Sequence, residues 1–120
     1  MTNWPVQSGS YRIIHLRERA VVVELLGEHD LSTAEKLGRI FESLAAANDI
    51  VIVDVRQTEF IDSTVLKELV RAERIIRDCG GRFVLSQDSN SIVTRLLEVS
   101  GMADHFEVAD GWDFALDRSR

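Results

Sequence analysis

Asp62, Ser63 and Thr64 put one carboxylate and two hydroxyls side by side in the run Thr58 to Leu69, TEFIDSTVLKEL. Phe60 and Ile61 precede them; Val65 and Leu66 follow. Two chemistries suit such a cluster. A polar side chain at the start of a helix accepts a hydrogen bond from an unpaired N–H of the first turn, a cap worth roughly 0.5–2 kcal/mol. A serine in the same place can instead carry a phosphate, because those N–H groups and the positive end of the helix dipole hold an anion. Capping accounts for one of the three polar residues. It accounts less well for hydroxyls set between apolar residues that anchor the loop and fix where Ser63 points.

Other chemistries find less support. Ser63 lacks a G-x-S-x-G setting, so it is not a nucleophile elbow. His15, His29 and His105 are scattered, and the one cysteine, Cys79, has no partner for a disulfide or a zinc site. Cys79 reads as a small apolar side chain packed near a helix end. Neither G-x-x-x-x-G-K-[ST] nor G-x-G-x-x-G occurs. Asp54 ends an apolar strand, where receiver domains place a phosphoacceptor. Those domains also carry an acidic pair after the first strand and a lysine after a late one. Here Arg17-Glu18 and Ser86-Gln87-Asp88 stand in those places, while Lys36 and Lys67 fall on helices. No catalytic residue, metal ligand or cofactor is therefore assigned.

A chain of 120 residues with 45% hydrophobic residues is long enough for one domain with a real core. Its net charge of −6 disfavours direct contact with nucleic acid and with anionic membranes. No apolar run approaches the roughly 18 residues of a membrane helix, and Met1 to Ser10 lacks the basic start and apolar middle of a signal peptide. A cytoplasmic location is expected.

The elements that must position Ser63 read as follows. Residues 1–10, with Pro5, Gly9 and an isolated Trp4, form a flexible arm. Tyr11 to Leu16 and Ala20 to Leu26 form a hairpin about Arg17-Glu18-Arg19, and Gly27-Glu28-His29-Asp30 is a loop. Ser32-Thr33-Ala34-Glu35 is a capping box, which starts a helix at Thr33 that runs to about Ala47 through Leu37, Ile40, Phe41 and Leu44. Ile50 to Val55 is the central strand. A second helix runs from Ser63 or Thr64 to Cys79, stopped by Gly80-Gly81. Arg82 to Ser86 is a strand, and Ile92, Val93, Leu96, Leu97 and Val99 mark a helix closed by Gly101. His105 to Val108 is a last strand, and Trp112 to Leu116 a closing helical turn or two. The order ββαβαβαβα predicts one α/β domain over residues 11–118: a mixed four- to five-stranded sheet with about four helices packed on it.

With these elements in place, FIDSTVLKEL (Phe60 to Leu69), GEHD (Gly27 to Asp30) and Ile92-Val93-Thr94-Arg95-Leu96-Leu97 followed by Ser100-Gly101 resemble the STAS domain. More narrowly they resemble the stand-alone anti-sigma factor antagonists of bacteria. The resemblance covers about Val21 to Phe114. It implies a non-enzymatic STAS-like domain that binds an anti-sigma factor doubling as a serine kinase. That kinase phosphorylates the serine after the motif's aspartate, a serine phosphatase reverses the step, and sigma-factor-dependent transcription responds. Carried over residue by residue, Ser63 is the phosphoacceptor, with Thr64 the lesser alternative. Glu28, Asp30, Asp62, Ser63, Thr64, Val65 and Lys67 line the partner face, and Asp30 lies close to Ser63. Three positions depart from the family pattern: His29 stands in place of an apolar residue, Val65 of glycine and Lys67 of a small residue. The alternative reading is an unphosphorylated STAS-type scaffold, or a subunit of a transport or signalling complex, in which Ser63 is only a cap and contact residue.

Overall fold

A computed structural model describes residues 9–117. Strands β1 (Ser10–Arg17) and β2 (Ala20–His29) form an antiparallel hairpin, with Arg19 in the left-handed region at the turn (φ 61°). Helix α1 (Leu31–Ala47), strand β3 (Ile50–Asp54), strand β4 (Thr58–Ile61) and helix α2 (Ser63–Asp78) follow. Strand β5 (Arg82–Ser86), helix α3 (Ile92–Ser100), a 3-10 turn at Ala103–His105, strand β6 (Glu107–Ala109) and helix α4 (Trp112–Asp117) complete the chain. The sheet order is β1-β2-β3-β5-β6, parallel beyond the first hairpin. Strand β4 pairs in parallel with the far end of β2, so the sheet has six strands, more than the four to five expected.

Strand β2 is apolar on both faces because both are covered. Val21, Val23 and Leu25 join Val51, Val53, Phe83 and Leu85 beneath α1, α2 and α3, where Leu37, Phe41, Leu69, Ile76, Val93 and Leu97 are buried. Ala20 and Val22 face the other way, with Ile52 and Val84 under Ala115 and Trp112 of α4. Two residues further along this second face, Glu24, Asp54 and Ser86 stand in register, all buried. A buried carboxylate needs a partner. Glu24 takes Arg12 Nε at 2.7 Å. Asp54 takes the Arg56 backbone N–H at 3.0 Å, Arg56 Nη2 at 2.9 Å and Trp112 Nε1 at 2.7 Å. Burial pushes the Asp54 carboxyl upward, but the hydrogen bonds from Arg56 and Trp112 outweigh it and hold the group below its ordinary value.

Several boundaries differ from expectation. Gly27 to His29 is not a loop but the end of β2, and α1 starts at Leu31, capped by Asp30 instead of Ser32. Ser10 already belongs to β1; the rest of the expected arm up to Ser8, with Trp4, lies outside the described residues. Strand β6 starts at Glu107 because Ala103–His105 turns first. Cys79 is exposed at the C-terminal cap of α2 and is not packed against the core. Gly101 closes α3 in the left-handed conformation (φ 78°), and Met102 N–H returns to Leu97 O at 2.9 Å.

Candidate functional site

Two strand-to-helix junctions lie side by side and build the site. Strands β2 and β4 run parallel, with Glu28 opposite Phe60 and His29 opposite Ile61. Each strand then gives way to an aspartate and a helix. The Asp62 backbone N–H donates to His29 O at 3.2 Å and ties the two junctions together. The register thus places Asp30 beside Asp62, and brings the first turns of α1 and α2 to one end of the molecule.

Each aspartate caps its own helix. Asp62 Oδ1 accepts from Val65 N at 3.0 Å. Asp30 Oδ1 accepts from Ser32 N at 2.9 Å and from Ser32 Oγ at 2.6 Å. The Ser32 side-chain and backbone hydrogen bonds hold the Asp30 carboxyl below its ordinary value. Because Asp62 is the cap, the Ser63 hydroxyl is not needed for that task. Ser63 is the first residue of α2 and is exposed; Thr64 is half-buried. Among the described residues, nothing accepts from the backbone N–H groups of Ser63 and Thr64. They are two of the unpaired donors that a helix start presents.

The other residues expected on the partner face divide into two groups. Glu28, Asp30 and Lys67 are exposed, with Lys67 one helical turn beyond Ser63. Val65 is a correction. It is 0% exposed and packs in the main core with Leu69, so its side chain is not available to a partner. Its bulk therefore lies under the Ser63 surface and not on it.

His29 is fully buried, and its ring joins three elements. Nε2 lies 3.0 Å from Ser10 O and 3.1 Å from Leu26 O, two carbonyls that can only accept, so Nε2 carries the proton. Nδ1 lies 3.1 Å from Thr33 Oγ1 on α1. An apolar residue at this position could not make these bonds. Gly9 backs onto the same ring: a Cβ there would sit 2.4 Å from Glu28 O and 2.5 Å from the imidazole. His29 is bonded in this way and His105 is set edge-on to Phe106; among the described residues neither ring has a hydrogen bond to Ser63.

One feature of the site was not read from the sequence: an apolar surround. Leu31, Phe60, Ile92 and Val99 are large exposed hydrophobic residues. Leu31 follows the Asp30 cap and Phe60 precedes the Asp62 cap. Phe60, Ile61, Ile92, Leu96 and Val99, with Arg95, line a groove of about 280 Å³ between β4 and α3. A signal for it existed. Five apolar residues in nine-residue α3 exceed what one helix face can bury, and α3 buries Val93 and Leu97 only. A wider depression of about 650 Å³, lined by Gln87, Asp88, Asp110 and Phe114 among others, does not include Ser63.

The family model described as "Mlab, STAS domain" matches residues 14–109. The chain therefore belongs to the STAS domain family. Among solved structures, it is similar to the anti-sigma factor antagonist SpoIIAA in its unphosphorylated form, with 22% identity over 91% of this chain and 95% of that one and a TM-score of 0.76. An anti-sigma factor antagonist from Mycobacterium paratuberculosis gives 22% identity, 92% coverage of both chains and a TM-score of 0.77. The phosphorylated form of SpoIIAA from Bacillus gives 21% identity over 92% of this chain and 100% of that one, with a TM-score of 0.72. At these identities the likeness is one of fold. No curated protein matches the chain. Among the described residues, no helix is long and apolar enough to cross a membrane.

Proposed function

We propose that the protein is an anti-sigma factor antagonist, a regulatory binding module without catalytic activity. It binds an anti-sigma factor that is also a serine kinase, and phosphorylation of Ser63 releases that partner; a serine phosphatase restores binding. The observation that carries this reading is Ser63 itself, exposed at the first position of α2 while Asp62 does the capping. Thr64 is the lesser candidate because it is half-buried. A phosphate adds about −1.5 to −2 charges at pH 7. The helix start tolerates it, so the fold is kept, while Asp62 and the neighbouring Asp30 add to the negative charge that a partner must face. A loss of roughly 3–4 kcal/mol corresponds to a few hundred-fold in affinity, enough for a switch.

The test is incubation with the cognate kinase and ATP, followed by mass spectrometry. Phosphate is expected on Ser63 and absent from a Ser63→Ala variant; modification of that variant, or none of the native chain, overturns the assignment. Ser63→Asp is expected to weaken the kinase complex and Ser63→Ala to keep it. Equal affinities for the two variants refute a charge switch.

The scaffold reading, in which the chain is an unphosphorylated subunit of a transport or signalling complex, is favoured by one observation. Lys67 is exposed one turn from Ser63, where the resemblance calls for a small residue. Recovery of a transporter subunit in place of a kinase on affinity purification supports that reading.

A further inference from the structure

Strand β1 is an edge of the sheet and pairs with β2 alone. Along an antiparallel strand, every second residue turns its N–H and C=O away from the partner. Among the described residues, nothing bonds those outward groups over residues 11–17. An open edge on a strand of eight residues is a template for one more strand. Ile13 stands in the middle of it, 39% exposed. Beside it lies a depression of about 350 Å³, walled by Ile13 and by Lys36, Arg39, Ile40, Ser43 and Leu44 of α1. These α1 residues recur at i, i+3, i+4, i+7 and i+8, so one stripe of the helix runs along the depression. The stripe is about 12 Å long, the reach of about four residues of extended chain.

The charges on this edge select the strand that fits it. β1 carries Arg12 and Arg17 and no acidic residue. Lys36 and Arg39 stand exposed on the α1 wall. Glu24 takes Arg12 and Glu35 takes Arg39. Among the described residues, Arg17 and Lys36 have no ion-pair partner, and Lys36 lies over the Tyr11 ring, 5.5 Å from its centroid. A second copy's β1 would bring two arginines and no carboxylate to this edge. Residues 1–8 and 118–120 of this chain contain no acidic residue either. Cations on an edge keep like strands off and admit opposite ones. We propose that β1 accepts, as an added strand, an extended acidic segment of another protein. Its apolar side chains fill the depression against Ile13, Ile40 and Leu44, and its carboxylates meet Lys36 and Arg17. The inference does not rest on phosphorylation of Ser63.

NMR titration of the isotope-labelled full chain with two end-blocked synthetic peptides, TEVEVET and its cationic counterpart TKVKVKT, tests it. At about 100 mM salt the Debye length is about 10 Å, so the net charge of the chain is screened while touching charges count. TEVEVET is expected to shift the amide signals of β1 and of residues 36–44, with Kd below about 1 mM. TKVKVKT should bind at least about tenfold more weakly. At about 5 mM TEVEVET, hydrogen exchange of the outward β1 amides should slow about fivefold. Lys36→Glu combined with Arg39→Glu should reverse the preference between the peptides; both positions are exposed, and circular dichroism confirms that the variant folds. Absence of shifts, shifts elsewhere than β1 and that stripe, equal binding of the two peptides, or a preference that the double reversal leaves in place overturns the proposal. So does a change of the β1 signals with protein concentration alone, accompanied by a sedimentation mass above 13.5 kDa, which gives the edge to a second copy.

Discussion

Asp62 has two roles at one position, as a hydrogen-bond acceptor and as a negative charge, and two substitutions separate them. Asp62→Asn keeps an acceptor for Val65 N, which now bonds Oδ1 at 3.0 Å. It removes only the charge, whose interaction with the helix dipole is worth about 0.3–1 kcal/mol. Relief of repulsion from the adjacent Asp30 offsets part of that loss, so the expected change is below about 0.5 kcal/mol. Asp62→Ala removes acceptor and charge together and is expected to cost about 1–2 kcal/mol, or roughly 4–8 °C in Tm. Urea titration followed by far-UV circular dichroism measures both, with the slope m unchanged. On the proposed reading, Asp62→Asn in the Ser63→Asp background should also recover part of the affinity for a kinase partner. Two results refute the reasoning. Equal destabilisation by the two substitutions means that charge, and not the hydrogen bond, holds the helix start. A neutral Asp62→Ala means that the Ser63 hydroxyl takes over the cap and is not free for modification.

Three further outcomes follow from the packing. Asp54→Ala leaves Arg56 and Trp112 without their buried acceptor and should cost about 3–5 kcal/mol, with a red shift of Trp112 fluorescence in a Trp4→Phe background; unchanged stability refutes the clamp. Because the folded-state value of Asp54 lies below its ordinary value of 3.8, its contribution is present above about pH 4 and is lost as pH falls through the folded value. Denaturation midpoints across that range should drop less in Asp54→Asn. Gly9→Ala forces a Cβ against the Glu28 carbonyl and should loosen the start of β1 at a cost of about 1–3 kcal/mol, seen as faster amide exchange in β1. His29→Leu fills the space but strands two carbonyls, Ser10 O and Leu26 O, and should cost about 1–3 kcal/mol; a neutral result would remove the ring from its linking role.

The helix start at Ser63 was legible because an aspartate and two hydroxyls between apolar residues form a local signal, and capping is local physics. The paired junction was not. Strand β4 is four residues long and half polar, and it pairs only with the end of β2, which itself reads as a loop because of Gly27. Gly27 holds φ +79° and marks a register shift, so the strand continues past it instead of ending. The box at Ser32 to Glu35 was a true capping pattern, but Asp30 lies closer to the strand end and captures both the Ser32 backbone N–H and its hydroxyl. The resemblance places Val65 on the partner face, because it stands where the family has glycine. The helical turn carries it beneath Ser63 and Thr64, and local sequence does not show where the core lies relative to that turn. Asp54 stood out by its place at the end of a strand, but its partner Trp112 is 58 residues away, a distance no local pattern reveals.

At the paired junctions, outward and inward residues alternate within a few positions. Glu28, Leu31, Phe60, Ser63 and Lys67 face out, while His29, Ile61 and Val65 are buried beneath them. On the proposed reading, the residues that meet a partner are thus distinct from those that hold the fold. Gene duplicates of such a chain can change partners through the first set while keeping the second, so a cell can run several insulated copies of this module with little loss of stability in any of them.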